Sequence, residues 1–436
     1  MPFGAYAPDG FFVFINDGER RFMKQIGNGR LSTAILVTTN GVSKIGDLVY
    51  LVALNLYVLN TTSSAFAVAA IWSVPLAAQL LISGWIGSIT DRLPLRSTLI
   101  TIEMSRAIIV FLLPLVPIFW MYPLLFLLGL GSTIFNRSLL PYRTRLIPVE
   151  HQKFVNSLMN VFQSGAILVG PAIAGLLMQF GSTAFALWVD ALSFAISSIS
   201  FALLPSLSHE STEHKNLLSV QDNASAWNRL RIDWLQAKQF LKENWLFTSL
   251  FIATAASQVF GQAADSQEVV FAEKALHLGH LGYGMMVVAS GLGFLLGSLA
   301  LSVFAKRFST KFLLACGSIL GGIGYFVYAA AQGFWQAVIG LIIMGVFVTA
   351  ESVGFNTYTQ HTVPVEKMGR INNLLDPPQQ ALTLIMMIVS SAVTEKYGVR
   401  TLMLSMTGIT MITGISNTIL ALLPRNRNVF ETSVQS

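Results

Sequence analysis

Along this chain long apolar runs alternate with short polar connections. Runs near the roughly 20 residues that a helix needs to cross a bilayer are Leu31 to Leu59, Ala65 to Ile89, Ser97 to Phe119, Tyr122 to Leu140, Val161 to Phe180 and Thr183 to Leu204. Six more follow: Leu246 to Ala264, Tyr283 to Ala305, Phe312 to Ala331, Phe334 to Gly354, Leu375 to Val393 and Thr401 to Leu423. Between the two sets lies a stretch rich in Ser, Glu, Asp, Asn and Lys, from Pro205 to Asn244. The pattern predicts an all-α integral membrane protein of twelve transmembrane helices. Its parts are an N-terminal segment over 1–30, a six-helix bundle over 31–204, a linker over 205–244, a second six-helix bundle over 245–423 and a tail over 424–436.

A repeat sharpens this picture. Pro148-Val149-Glu150 recurs as Pro364-Val365-Glu366, and Val155-Asn156-Ser157-Leu158 as Ile371-Asn372-Asn373-Leu374, both at a separation of 216 residues. Each copy follows the fourth span of its own half. The halves therefore read as parallel repeats related by an axis along the membrane normal, packed around a central cavity that rocking exposes to either side.

Composition agrees: 53% of the 436 residues are hydrophobic and 11% charged, against about 25% charged in soluble domains. The net charge of +6 does not point to nucleic acid, because Lys and Arg are spread over short connections instead of clustering on a soluble face. With both termini cytoplasmic, only Lys274, Lys396 and Arg400 fall outside, while Lys44, Arg106 and Arg137 lie within spans; this is the positive-inside pattern. No secretory signal is expected, since Phe11 to Ile15 is too short an apolar core. In the linker, Trp227, Leu230, Trp234, Leu241 and Trp245 keep a helical period, with Arg229, Arg231, Lys238 and Lys242 elsewhere. Such a helix would lie on membrane lipid at the inner surface; a plain tether packed on protein fits the same residues.

Several chemistries lack their residues. A G-x-x-x-x-G-K-[ST] loop is absent, so ATP is not the expected driver, and neither H-E-x-x-H nor G-x-S-x-G occurs. The lone Cys316 and the six loop-borne histidines give no metal site and no intrachain disulfide. No cofactor is expected, and no enzymatic activity.

Ionisable residues at bilayer depth each cost about 2.5–3.5 kcal/mol on insertion scales, so each needs a partner or a wet cavity. Lys44, Asp47, Glu103, Arg106, Asp190 and Glu351 fall within spans. Lys44 with Asp47, and Glu103 with Arg106, are spaced three apart and share a helical face. Asp47 is the first candidate for proton coupling: burial disfavours its ionised form and Lys44 favours it. A permanently ionised Lys44–Asp47 pair is the alternative. Glu351 lacks a basic partner on its own helix and is a second proton or cation candidate. Asp190 faces either the cavity or the fifth span.

Gly87-Ser-Ile-Thr-Asp91-Arg92-Leu-Pro94-Leu-Arg96, between the second and third spans, resembles the loop signature of the major facilitator superfamily, departing from it at Pro94 and Leu95. The resemblance implies a conformational latch at Gly87, Asp91, Arg92 and Arg96, whose charges would hold neighbouring helix ends in one closed arrangement. Glu103 and Arg106 are expected to extend its charge network. Gly165 to Gly175, GAILVGPAIAG, resembles the span-five motif of the antiporter branch through Gly165, Gly170, Pro171 and Gly175; tight helix packing alone would also favour these residues. With Ser43-Lys44-Ile45-Gly46-Asp47, Asp190-Ala191-Leu192-Ser193-Phe194 and Val363-Pro364-Val365-Glu366, the set looks like the branch of drug and siderophore exporters that contains macrolide and enterobactin efflux proteins. This implies a secondary active transporter of the bacterial inner (plasma) membrane, working as a monomer. It would export a hydrophobic or amphipathic small molecule, a drug, siderophore or metabolite, by proton antiport with alternating access. A lipid or lysolipid translocase and a proton-coupled importer of the same fold are the alternatives.

Overall fold

The computed structural model describes residues 17–83, 93–147, 149–206, 235, 238–304 and 307–423. Twelve long helices account for most of them. In the first half these are α1 (Asp17–Thr62), α2 (Ala65–Ser83), α3 (Leu95–Leu112), α4 (Ile118–Leu146), α5 (Val149–Phe180) and α6 (Thr183–Leu203). The second half holds α7 (Trp245–Asp265), α8 (Gly279–Phe304), α9 (Thr310–Ala329), α10 (Phe334–Thr362), α11 (Val365–Tyr397) and α12 (Val399–Leu422). A single helical turn, Glu268–Val270, and a π-turn, Phe271–Ala275, join α7 to α8. Among the described residues nine helices are long and apolar enough to cross a membrane. Two others, α7 and α11, interrupt their apolar runs with polar side chains; α7 sets Ser257, Gln258, Gln262 and Asp265 on a cavity wall.

Local chemistry fixes the helix ends. Ser182 and Ser309 cap α6 and α9, each hydroxyl accepting from a backbone N–H three residues on, the donors that every helix start leaves orphaned. Gly398 turns α11 into α12 at φ 86°, a left-handed conformation that costs a side-chain-bearing residue energy. Three helices begin well before their apolar runs: α1 at Asp17, α5 at Val149 and α11 at Val365. Hydropathy marks only the bilayer-depth part, whereas a helix satisfies its own backbone wherever it runs. The repeated Pro-Val-Glu now has a cause, since Val149 and Val365 are the first residues of the equivalent helices α5 and α11, and Pro364 is the N-cap of α11.

Packing repeats as the sequence does. In the first half α1 packs on α5 and α6, α3 on α4 and α6, and α2 on α4; in the second, α7 packs on α11 and α12, α9 on α10 and α12, and α8 on α10. The seam swaps equivalent helices, α2 against α11 and α5 against α8. Hydrogen bonds between the halves gather at one end, where the α1–α2, α7–α8 and α11–α12 connections meet. There Glu395 accepts from Ser64 Oγ at 3.1 Å and from Phe66 N at 3.3 Å. Lys274 Nζ donates to Ser63 O at 2.7 Å and Gln267 Nε2 to Ala65 O at 3.2 Å.

The α9–α10 pair shows how tight the packing is. A Cβ on Gly340 would stand 2.5 Å from Tyr328 N and 2.8 Å from Tyr328 Cα. Gly340→Ala is therefore expected to destabilise the chain by about 1–3 kcal/mol through overpacking. Gly408→Ala, whose Cβ would meet nothing within 4 Å, is the control; equal apparent melting temperatures for the two variants in detergent would refute the backbone-contact account.

Candidate functional site

Two cavities share the walls Leu51, Trp72 and Gln262. The larger, about 800 Å3, runs along α1, α2, α4 and α11 from Trp72 to Ser83 and Arg137. The smaller, about 350 Å3, sits among α7, α8, α9 and α10. Both volumes lie in the range of small-molecule sites, roughly 300–1,000 Å3.

The larger compartment carries a charge network drawn from three helices. Asp47 on α1 takes Lys44 Nζ at 3.0 Å from its own helix and Arg106 Nη2 at 2.6 Å from α3. Arg106 Nη1 reaches Glu103 at 3.0 Å. The guanidinium stacks over Phe194 of α6, 4.0 Å from the ring centre, so a cation–π contact joins two ion pairs around one cation. Side-chain exposure falls along the chain of groups, 24% at Asp47, 8% at Arg106 and 0% at Glu103. Glu103 Oε2 and Arg106 Nε find no partner among the described residues. Water therefore reaches the network at Lys44 and Asp47, 35% and 24% exposed, and its far end at Glu103 is sealed. A change at Asp47 alters how Arg106 divides itself between two carboxylates.

Asp190 on α6 joins the edge of this network. It is 1% exposed; its Oδ1 accepts from Ser193 Oγ at 3.1 Å, while Oδ2 is unpartnered among the described residues. It faces α1, where any Cβ on Gly46 would collide with Asp190 Oδ1 and Ser193 Oγ. Of the two orientations left open by the sequence, neither the cavity nor the fifth helix holds Asp190; α1 does. Glu351 lies away from all of these, on the wall of the smaller compartment, accepting from Asn417 Nδ2 at 3.2 Å.

Of the latch residues expected from sequence, Gly87, Asp91 and Arg92 lie outside the described residues, as do Trp227, Leu230 and Trp234 of the linker. Arg96 donates from Nε to Phe201 O at 3.3 Å and from Nη2 to Ala202 O, holding the end of α6 within its own half. Glu103 and Arg106 join Asp47 and Lys44. Of the span-five residues, Gly170 backs onto Leu48 and Ile45 O of α1, Pro171 O abuts Gly284, Gly175 abuts Leu281, and Gly165 faces open space. The motif thus wedges α5 between α1 and α8.

Sequence reasoning missed two carboxylates of the smaller compartment. Asp265 accepts from Tyr325 Oη, and Glu268 lines the same wall. Their spacing of three, the pattern that singled out Lys44 and Asp47, was the available signal. The apolar run stops at Ala264, so both read as loop. Asp376 on α11, within electrostatic reach of Arg137 of α4 on the wall of the larger compartment, was missed for a different reason: as the second residue of its apolar run it read as the edge of a span.

Known proteins give an independent comparison. The signature of the Major Facilitator Superfamily matches residues 36–270 and 268–434. The "Uncharacterized MFS-type transporter YfiS" of Bacillus subtilis (strain 168) is 23% identical over 375 residues, covering 84% of this chain and 87% of that one. The "D-xylose transporter" of Levilactobacillus brevis is 31% identical over 109 residues, covering 25% of this chain and only 24% of that one. Among solved structures, a point mutant of the nucleoside transporter NupG superposes with a TM-score of 0.72 at 14% identity, covering 89% of this chain and 99% of that one. Two packed repeats, apolar helices on all sides and a full-length signature lead to one statement: the chain belongs to the Major Facilitator Superfamily and is an integral, multi-pass membrane transporter.

Proposed function

We propose that this transporter exports a hydrophobic or amphipathic small molecule from the cytoplasm in exchange for protons, by alternating access. The observation that carries the reading is Asp47, a cavity-wall carboxylate that shares Arg106 with a sealed second carboxylate. A proton arriving at Asp47 weakens its hold on Arg106, and a cationic network rearranged in this way biases two arrangements of the bundles. The distribution of Lys and Arg supports cytoplasmic termini, which makes the end clasped by Glu395, Lys274 and Gln267 the outer one and this arrangement inward-facing. The latch role of Gly87, Asp91, Arg92 and Arg96 and the coupling roles of Asp47, Lys44, Asp190 and Glu351 belong to this proposal. So do the bacterial inner membrane and a monomer as the working unit. The exporter branch rests on the motif residues alone.

A second reading is proton-coupled uptake, since a solved D-xylose-proton symporter shares this fold with a TM-score of 0.65 at 11% identity. The sign of coupling separates the two. In proteoliposomes tested by counterflow with drugs, siderophores, sugars, nucleosides and lysolipids, an imposed pH gradient is expected to drive the solute toward the acidic side, opposite to the protons. Accumulation on the alkaline side would replace export by symport, and lysolipid exchange indifferent to the gradient would replace both by a translocase.

A further inference from the structure

The two compartments differ in charge. The larger one is lined by three basic residues, Lys44, Arg106 and Arg137, balanced against Asp47 and Asp376. Asp265, Glu268 and Glu351 line the smaller, and no Lys, Arg or His is among the described residues lining it. Anionic groups at bilayer depth that lack a counter-charge mark a place where a cation is received. Neutral donors serve two of them, Tyr325 Oη at Asp265 and Asn417 Nδ2 at Glu351. The Glu268 carboxylate makes no hydrogen bond or ion pair among the described residues, and the charge that bears on it is the like-charged Asp265.

Two buried polar atoms behind this wall also lack partners among the described residues. Tyr328 is 1% exposed, its ring stacked on Tyr325 at 6.0 Å, and its hydroxyl, within electrostatic reach of Glu268 and Asp265, has no hydrogen-bond partner among the described residues. Asn417, 0% exposed, spends its amide N–H on Thr254 and Glu351 and leaves Oδ1 without a partner among the described residues. A buried polar atom without a partner costs about 1–3 kcal/mol; Tyr328 and Asn417 stand behind the lining, so a cation in the compartment is received by Asp265 and Glu268, which line it. The walls suit an organic cation better than a bare metal ion: Trp72, Tyr283, Phe294, Tyr325 and Phe355 surround the space, and aromatic faces attract cations while excluding water. Asn55 holds two of these rings in place, accepting from Trp72 Nε1 at 3.1 Å and donating to Tyr283 Oη at 3.5 Å.

We propose that the smaller compartment recognises a lipophilic organic monocation, with the charge held between Asp265 and Glu268 and the apolar body against Phe294, Met344 and Val348. The assignment names the substrate class of the transport site and rests on the transport reading. In this division of labour the second half of the molecule reads the charge of the solute, and the first half holds the exchangeable network around Arg106.

The test uses two ions of nearly equal shape and opposite charge. Equilibrium dialysis of the purified full chain in detergent against tetraphenylphosphonium is expected to show saturable binding, and tetraphenylborate none. Ethidium is expected to compete. Glu268→Gln and Asp265→Asn should each weaken tetraphenylphosphonium binding at least tenfold. Wild-type charge selectivity carries the test if a variant fails to fold. Equal binding of the two tetraphenyl ions, cation binding untouched by both substitutions, or binding abolished by sodium but not by potassium at constant ionic strength would each overturn the assignment. Charge-selective binding without counterflow in liposomes would leave this site standing and remove the transport reading; counterflow of solutes without charge-selective binding would do the reverse.

Discussion

Arg106→Met is expected to destabilise the folded chain by about 3–5 kcal/mol, the range for removing one partner of a buried ion pair. Three interactions end together: the 2.6 Å contact to Asp47, the 3.0 Å contact to Glu103 and the stacking on Phe194. The losses are unequal. Asp47 is 24% exposed and keeps Lys44, so water and a second cation soften its loss. Glu103 is 0% exposed, its ion-pair partner is Arg106, and its other oxygen is already unpartnered among the described residues. Most of the penalty is therefore the stranded carboxylate of Glu103. Adding Glu103→Leu to Arg106→Met should recover most of it, because replacing both members of a buried pair by apolar groups is close to neutral. Thermal unfolding in detergent across this double-mutant cycle checks the account. A single Arg106→Met variant as stable as the parent, or a double variant worse than the single, would place the stabilisation elsewhere.

Asp47→Asn is expected to separate exchange from concentration. The amide keeps the shape of the carboxylate and an acceptor for Arg106, but it carries no charge and cannot take up a proton. The chain should fold, with a stability loss of about 1.5–3 kcal/mol from weakened charge-assisted hydrogen bonds. Counterflow of solute for solute, which needs no net proton movement, should persist and become insensitive to pH. Accumulation driven by a pH gradient should disappear. Parallel measurement of both in proteoliposomes decides the matter, and gradient-driven accumulation that survives in Asp47→Asn would remove Asp47 from coupling and leave it a structural partner of Lys44 and Arg106.

Helix number and the two-fold repetition were legible in the sequence because both are properties of runs and spacings. Hydropathy located twelve spans whose cores all fall within observed helices, and the offset of 216 residues reappears as matching packing partners in the two halves. Helix ends were less legible, since α1, α5 and α11 extend as polar helix well beyond their apolar parts. The pairs Lys44–Asp47 and Glu103–Arg106 were visible as same-helix partners, and both ion pairs form. What links them, Arg106 to Asp47 across 59 positions of chain, depends on α1 and α3 both packing on α6, and no local pattern encodes that. Asp265 and Glu268 escaped notice because a hydropathy window ends where polarity begins. A cavity-facing helix is polar where it matters for function.

The clasp at the closed end is chemically lopsided. Glu395, Lys274 and Gln267 extend side chains from the second half, while what they grip in the first half is largely main chain: Ser63 O, Ala65 O and Phe66 N. Every amino acid supplies those atoms except for the amide of proline. Apart from Ser64, whose hydroxyl donates to Glu395, and Asn60, which meets His280 at 3.0 Å, the tip between α1 and α2 can therefore change its side chains and still be held, whereas each gripping residue is hard to replace. Sequence drift in such a molecule would fall on one side of the joint, and its opening and closing would answer almost entirely to substitutions on the other.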